Sequence, residues 1–73
     1  MKYDYSKLKG LITEKFGSQR NFAKAIGFKE TTLSMKLQGK SHFSQSDITR
    51  ICKCCDISLQ DVGDYFFVQI VHR

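Results

Sequence analysis

Three glycines, Gly17, Gly27 and Gly39, divide the middle of the chain into two short segments. Apolar residues recur at helical spacing in both, which predicts helices from Gln19 to Ile26 and from Glu30 to Gln38. Gly27 favours a sharp reversal between them, because glycine adopts a positive φ at little cost. Helices this short gain most of their stability from packing against a neighbour. The pattern therefore predicts a helix-turn-helix.

The apolar positions of this helix pair indicate how the two helices pack. Phe22, Ala23 and Ile26 form one stripe on the first helix, and Leu33 and Leu37 form the matching stripe on the second. Ala23 is small enough to let the second helix cross closely. The outer face of the second helix carries short hydrogen-bonding side chains rather than the Glu and Lys pairs of a solvated surface. A helix of this width fits the major groove of DNA.

Three further helices are predicted, which gives an all-α fold of five helices in one domain of 73 residues. The first runs from about Tyr5 to Phe16. The fourth follows Ser44, which is a good N-cap, as Ser18 is for the helix that begins at Gln19. The fifth, the least regular, follows Ser58 with Leu59, Val62 and Phe66 facing inward. The apolar positions of the fourth fall at i, i+3, i+4 and i+7 and are Ile48, Ile51, Cys52 and Cys55.

The C-terminal segment "FFVQIVHR" changes its period from helical to alternating, which is typical of a strand. We therefore separate a helix-turn-helix domain at residues 1–66 from a tail at residues 67–73. Two structures are open for the tail: a strand that pairs with a second copy, or a segment that folds back over its own core or frays. We favour the dimer strand, whose apolar contact residues are Phe67, Val68, Ile70 and Val71.

The net charge of +5 and the sequence pI near 9.3 favour a polyanionic partner, above all nucleic acid. No apolar run approaches the roughly 20 residues that cross a bilayer, and the N-terminus has no apolar signal core. The composition thus predicts a cytoplasmic protein without a membrane partner.

The three cysteines Cys52, Cys54 and Cys55 are too close in sequence to form a disulfide framework. Cys52 and Cys55 share one helix face with isoleucines, where cysteine packs as a small hydrophobe. His42 and His72 show no ligand spacing with them, so no metal site is predicted. The chain also shows no paired carboxylates, nucleophile–base pair or phosphate-binding glycine loop. We therefore expect neither an enzyme nor a cofactor or small-molecule substrate.

The stretch "SQRNFAKAIGFKETTLSMKLQGK" resembles the helix-turn-helix of the lambda-repressor-like (Xre-type) phage regulators. Its core, Q-x-x-F-A-x-x-I-G followed by L-S-x-x-L-x-G-K, is fairly specific. The wider frame, over about residues 3–67, is similar to short Cro and repressor proteins from phages of Gram-positive bacteria. The resemblance implies a five-helix lambda-repressor-like domain that binds DNA.

The resemblance also implies which side chains of the second helix of the pair meet the bases: Glu30, Thr31, Ser34 and Met35. Glu30 departs from the family, since many members carry a Gln there that reads adenine. A carboxylate accepts a bond from cytosine N4 but donates none to adenine N7. Two roles are open for Glu30: it contacts cytosine, or it only stabilises the helix N-terminus through the dipole.

Five polar or basic residues are the corresponding candidates for phosphate contacts. Gln19 resembles the family residue that binds phosphate at a helix N-terminus, and Lys40 lies where the family approaches the backbone again. Lys29 stands where Ser or Thr usually caps the second helix, and lysine is a poor N-cap. Such contacts supply affinity and its salt dependence. The full set is Gln19, Arg20, Lys29, Lys36 and Lys40.

Two functions from different classes are compatible with the sequence. The first is a phage transcriptional regulator, Cro-like or a minimal repressor, that binds a pseudo-palindromic operator in double-stranded DNA as a homodimer. The second is a protein-interaction module on the same scaffold, such as an antirepressor or antitoxin, whose apolar tail binds another protein. Salt separates them, because phosphate contacts weaken steeply with salt whereas apolar contacts change little.

Overall fold

The structure is a computed structural model that describes residues 3–70. Its five helices confirm the predicted all-α fold. No helix in this range has the length and apolarity needed to span a membrane. The helices are α1 (Ser6–Phe16), α2 (Gln19–Ile26), α3 (Glu30–Leu37), α4 (Gln45–Cys55) and α5 (Val62–Phe66).

The core is built from the predicted inward faces of all five helices. Helix α2 lies at its centre and packs against α1, α3 and α4, while α5 packs against α1. Phe22 on α2 and Leu33 on α3 are fully buried, so the two short helices share the interface that their apolar stripes predict. The remaining buried side chains are Tyr5, Leu8, Ile12, Ala23, Ile26, Leu37, Ile51, Cys55 and Phe66.

Side-chain caps fix where two of the helices begin. The Ser18 hydroxyl accepts a hydrogen bond from the Asn21 amide at the start of α2. At α4, Ser44 and Asp47 form a capping box, in which each side chain accepts a bond from the other residue's amide. Such caps contribute about 1 kcal/mol each. Both N-caps were predicted, because serine before an apolar periodic run is a local signal.

The beginning of α5 differs from the prediction. Ser58 does not cap a helix there, since its hydroxyl bonds to the Asp61 carboxylate within a turn and its carbonyl accepts from the Asp61 amide. The helix starts at Val62, one turn later. As a result Leu59, predicted to face inward, is 91% exposed.

The tail is not the strand that the alternating pattern predicts. Gln69 forms an isolated antiparallel bridge with Tyr3, and the Asp4 amide donates to the Val68 carbonyl at 2.6 Å. The segment thus lies against the N-terminal residues of its own chain, as in the fold-back alternative, and residues 3–70 contain no strand. Phe67, Val68 and Ile70 remain partly exposed. Val71, the fourth predicted dimer contact, lies outside the described residues.

Candidate functional site

The turn between α2 and α3 is held by backbone geometry and by one arginine. Gly27 adopts a left-handed conformation with φ 76°, and the Phe28 amide donates to the Ala23 carbonyl at 2.8 Å. The Arg50 guanidinium donates from Nη1 to the Ile26 carbonyl and lies over the Phe28 ring. Arg50 therefore links the end of α2 to α4 at the turn that precedes α3.

Helix α3 carries the four predicted base-facing residues on one short element. Glu30, Thr31 and Met35 are exposed, while Ser34 is half-buried. The Ser34 hydroxyl already accepts a bond from the Gln38 side-chain amide at 2.9 Å. The helix starts without a side-chain cap at Lys29, so Glu30 is the acidic residue of the first turn. The four base-facing candidates, called the base-facing quartet, thus lie on one short helix. The Ser34 hydroxyl among them already has one hydrogen-bond partner.

The phosphate candidates do not form one continuous surface. Arg20, Lys29 and Lys40 are exposed on the α2–α3 side, and Gln19 is half-buried in the first turn of α2. These four residues and the base-facing quartet are called the α2–α3 face below. The fifth candidate, Lys36, is directed elsewhere.

Lys36 joins α3 to the start of α4. Its ammonium lies 2.7 Å from the Asp47 carboxylate and donates to the His42 carbonyl at 2.8 Å. Both side chains are largely buried, with 15% and 17% exposure. Burial alone would raise the pKa of Asp47, but the bonds from Lys36 and Ser44 outweigh it and hold that pKa below its usual value. Lys36 thus acts as a structural clamp between α3 and α4, and its phosphate contact stays a prediction.

A second surface lies between α4 and α5. It is a groove of about 760 Å³ whose lining residues all fall between Phe43 and Phe67. It shares no residue with α3. The apolar residues that define this α4–α5 groove are Ile48, Cys52, Ile57, Leu59, Val62 and Phe67.

The three cysteines are reduced and differ in exposure. Cys55 is buried, Cys52 is half-buried in the α4–α5 groove, and Cys54 is exposed. Burial raises the pKa of the Cys55 thiol to about 11 and also raises that of Cys52. Both therefore remain neutral thiols at physiological pH. Among residues 3–70, no group of three or more potential ligands comes together to hold a metal ion.

The sequence interpretation missed the groove and the clamp. The signal for the groove was the short segment "DISLQD", in which serine and aspartate can close a turn before α5 begins. Lys36 and Asp47 are eleven residues apart on different helices. No local pattern predicts that pair, so only the fold reveals it.

Comparisons with known proteins found a matching family model and a similar solved structure. A family model described as a protein of unknown function, DUF739, matches residues 1–69. The solution structure of the modulator of repression (MOR) of the temperate bacteriophage TP901-1 from Lactococcus lactis is 44% identical in sequence, with a TM-score of 0.82. The alignment covers 99% of this chain and 97% of that chain. The search of curated proteins found no match.

These matches correct the family identified from the helix-turn-helix motif. The matching family model is DUF739 and the similar solved structure is a modulator of repression. The assignment to the lambda-repressor-like (Xre/Cro-type) regulators is therefore wrong. The motif described the local packing of α2 and α3 correctly, but that packing does not distinguish one family of small helical phage proteins from another.

Proposed function

Because the chain belongs to the DUF739 family, whose description states no function, we propose its function from its similarity to the phage modulator of repression. We propose that it modulates repression by binding the protein that represses. Such a regulator would work in the cytoplasm of the bacterial host, beside that repressor and its operator.

The single observation that carries this proposal is the near-complete match to the TP901-1 modulator. The two chains are 44% identical, and the alignment covers 99% of this chain and 97% of that chain with a TM-score of 0.82. Function resides in surface sites rather than in the fold alone. A similarity that extends through nearly all of both chains includes the surfaces as well as the core, and this supports a shared mode of action.

The surface chemistry supports a protein partner. The centres of protein–protein interfaces are apolar and poor in charge, which describes the α4–α5 groove. DNA interfaces are polar and strongly basic. On the α2–α3 face, three exposed cations remain after Lys36 is assigned to its clamp, and Glu30 adds a carboxylate that phosphates repel.

Of the two functions that the sequence left open, the protein-interaction module therefore has the better support. The operator-binding homodimer has less, because the tail that would form the dimer strand lies against its own N-terminal residues. We do not require self-association for the proposed function.

DNA contact through the α2–α3 face is a second candidate, favoured by the exposed Thr31, Met35 and Arg20. Its test is selection of bound duplexes from a random library by the chain alone, at about physiological salt. An enriched inverted repeat would support it. A cytosine under Glu30 that disappears in Glu30→Gln would further support direct reading by α3.

The main proposal is tested by operator occupancy. A labelled operator duplex is saturated with the repressor of the same phage, and the purified chain is titrated in while fluorescence anisotropy is followed. We expect the chain to change the occupancy of the operator by the repressor at concentrations where the chain alone leaves the anisotropy of the free duplex unchanged. The control is a duplex with a scrambled operator sequence, which the repressor binds only non-specifically.

Two results would count against the proposal. If the chain alters anisotropy equally with and without repressor, it acts by binding DNA. If the occupancy of the operator by the repressor stays unchanged when the chain is well above the concentrations of the repressor and the duplex, the chain does not modulate repression at the operator. Either result would make the α2–α3 face the candidate functional surface.

A further inference from the structure

Four of the five large apolar side chains that are exposed in the described part of the chain lie in the segments that flank α5. Leu59 is 91% exposed in the turn before α5, and Phe67 is 53% exposed immediately after it. Val68 and Ile70 follow at 42% and 43%. Leaving large apolar side chains in water is unfavourable by roughly 25 cal/mol per Å² relative to burial. Of these four residues, Leu59 and Phe67 line the α4–α5 groove. Exposed apolar surface in a groove marks an interaction site.

The floor of the α4–α5 groove has the spacing of a helix-binding surface. Ile48 and Cys52 lie one helical turn apart on α4 and are both half-buried. Leu59 and Phe67 line the groove from outside α4. At about 760 Å³ it falls within the size range of sites that enclose a bound group.

The walls of the groove restrict what kind of element can occupy it. They are helix side chains and a turn, and α4 already satisfies its backbone hydrogen bonds internally. A strand added to the groove would find no ladder of free amides and carbonyls. A helix does not need one, because it presents apolar side chains at i, i+3, i+4 and i+7 to a groove of this shape.

The charges beside the groove indicate the polarity of its occupant. A polar shelf formed by Arg50 and Lys53 adjoins the groove and shares Gln45, Thr49 and Lys53 with its lining. Lys53 is exposed and forms no ion pair with any residue in the described part of the chain. Among residues 3–70, Asp56 is the only acidic residue that lines the groove. A second copy of this chain, with its net charge of +5, is a poor electrostatic match.

We infer that the α4–α5 groove binds an amphipathic helix of the partner protein, with acidic residues along the edge of that helix that faces Lys53. Apolar side chains of the helix fill the space between Ile48, Cys52 and Val62. Leu59 closes over one side of the helix. This inference rests on the proposed function, because it takes the repressor as the protein that supplies the helix.

The first experiment maps the contact surface directly. Amide resonances of the isotopically labelled chain are followed by NMR while unlabelled repressor is added. The expected result is that shifts and line broadening concentrate on the groove residues Ile48, Cys52, Leu59, Val62 and Phe67. Amides of the α2–α3 face serve as the internal reference and are expected to change little.

Matched variants test the two chemical components of the contact. Leu59→Ser removes an exposed apolar side chain, and Met35→Ser makes a similar change on α3. We expect Leu59→Ser to weaken repressor binding at least about tenfold, and Met35→Ser to leave it within about twofold. Lys53→Glu should weaken binding about threefold to tenfold, whereas Lys24→Glu on α2 should not. Thermal unfolding of each variant checks that the fold is retained.

The outcomes separate this inference from the proposed function. Repressor binding with shifts confined to the α2–α3 face, unaffected by Leu59→Ser, overturns the groove while the proposed function stands. Without any repressor binding, the proposed function fails. The groove is then tested with a peptide of about 18 residues, long enough to be helical, bearing leucines on one face and glutamates on its flank. Shifts at the groove residues support the inference, and their absence overturns it.

Self-association is the remaining alternative occupant. Sedimentation of the chain alone measures it. A dimer that Leu59→Ser dissociates and that competes with the repressor would assign the groove to a second copy and overturn the inference. A monomer, or a dimer indifferent to Leu59→Ser, agrees with it.

Discussion

The α2–α3 face and the α4–α5 groove differ in how their side chains are used. On the α2–α3 face the exposed residues are polar except Met35, and the other large apolar side chains of α2 and α3 are buried. Around the groove, Leu59 and Phe67 are exposed although nearby isoleucines are half-buried. The α2–α3 face thus exposes one large apolar side chain, whereas the groove exposes two, Leu59 and Phe67, that a partner could cover. The α2–α3 face carries the helix-turn-helix motif, but the α4–α5 groove offers more apolar surface for a partner to bury.

Two leucines test this comparison with the largest expected effect. Leu33 is fully buried between α2 and α3, so Leu33→Ala should lower the free energy of unfolding by about 3 kcal/mol. Leu59→Ala should change it by less than about 0.5 kcal/mol, since that side chain is 91% exposed. Urea denaturation measures both. A comparable loss in the two variants would mean that Leu59 is buried in solution, and the groove would then not be open.

The Lys36–Asp47 clamp links α3, which carries one surface, to α4, which carries the other. Lys36→Met keeps the aliphatic stem but leaves the Asp47 carboxylate largely buried without its cation. We expect a loss of about 2 kcal/mol in unfolding free energy. Lys40→Met removes an exposed cation and is the matched control, expected within about 0.5 kcal/mol.

The clamp also predicts a pH dependence. The folded protein holds the pKa of Asp47 below its usual value. The stabilisation from this carboxylate is therefore fully present above the unfolded pKa near 4 and is lost as pH falls through the lower folded pKa. The difference in melting temperature between wild type and Lys36→Met should narrow below about pH 4. A constant difference down to pH 2 would rule out the ion pair as its cause.

Two glycines give effects of opposite sign. Gly27 has φ 76° at the turn that orients α3, and an added Cβ would meet only Arg50 Nη1 at 3.9 Å. Gly27→Ala should therefore cost about 1 kcal/mol through backbone strain alone. Gly10 lies inside α1 with open space around it, so Gly10→Ala should stabilise by about 0.5 kcal/mol. Thermal unfolding measures both variants. A Gly27→Ala variant as stable as wild type would contradict the turn geometry, and a destabilised Gly10→Ala variant would contradict the open space around Gly10.

The smallest predicted effect concerns the start of α3. Lys29 occupies the N-cap position in an extended conformation and provides no side-chain cap. Lys29→Ser should stabilise the protein by about 0.5 kcal/mol, and Lys29→Ala should give no gain. If Lys29→Ser stabilises the fold but reduces modulation of repression, Lys29 contributes to function on the α2–α3 face. Binding through the α4–α5 groove alone would not explain that result.

The predictable parts of this molecule are those whose signals are local. Ser18, Gly27 and Ser44 each specify a cap or turn through their own side chain or backbone freedom, and the structure places them as predicted. The inward faces of α2 and α3 follow from spacing alone. These features account for the starts of α2 and α4 and for the packed pair α2–α3.

The parts that sequence reasoning missed depend on long-range contacts or on competing local patterns. The tail alternates like a strand, but the Asp4 amide and Val68 carbonyl hold it against its own N-terminal residues. Leu59 follows helical spacing, but the Ser58–Asp61 bond forms a turn instead. The family was misidentified because a helix pair joined at glycine is a packing solution that different regulators share.

Calorimetric titration of the chain with the repressor of its phage, in the absence of DNA, tests the central claim most directly. We predict a complex whose affinity falls less than about tenfold when salt rises from about 50 to about 200 mM, since apolar contacts are screened little. No complex without DNA, together with specific duplex binding by the chain alone that weakens steeply over the same salt range, would contradict it and identify an operator-binding protein.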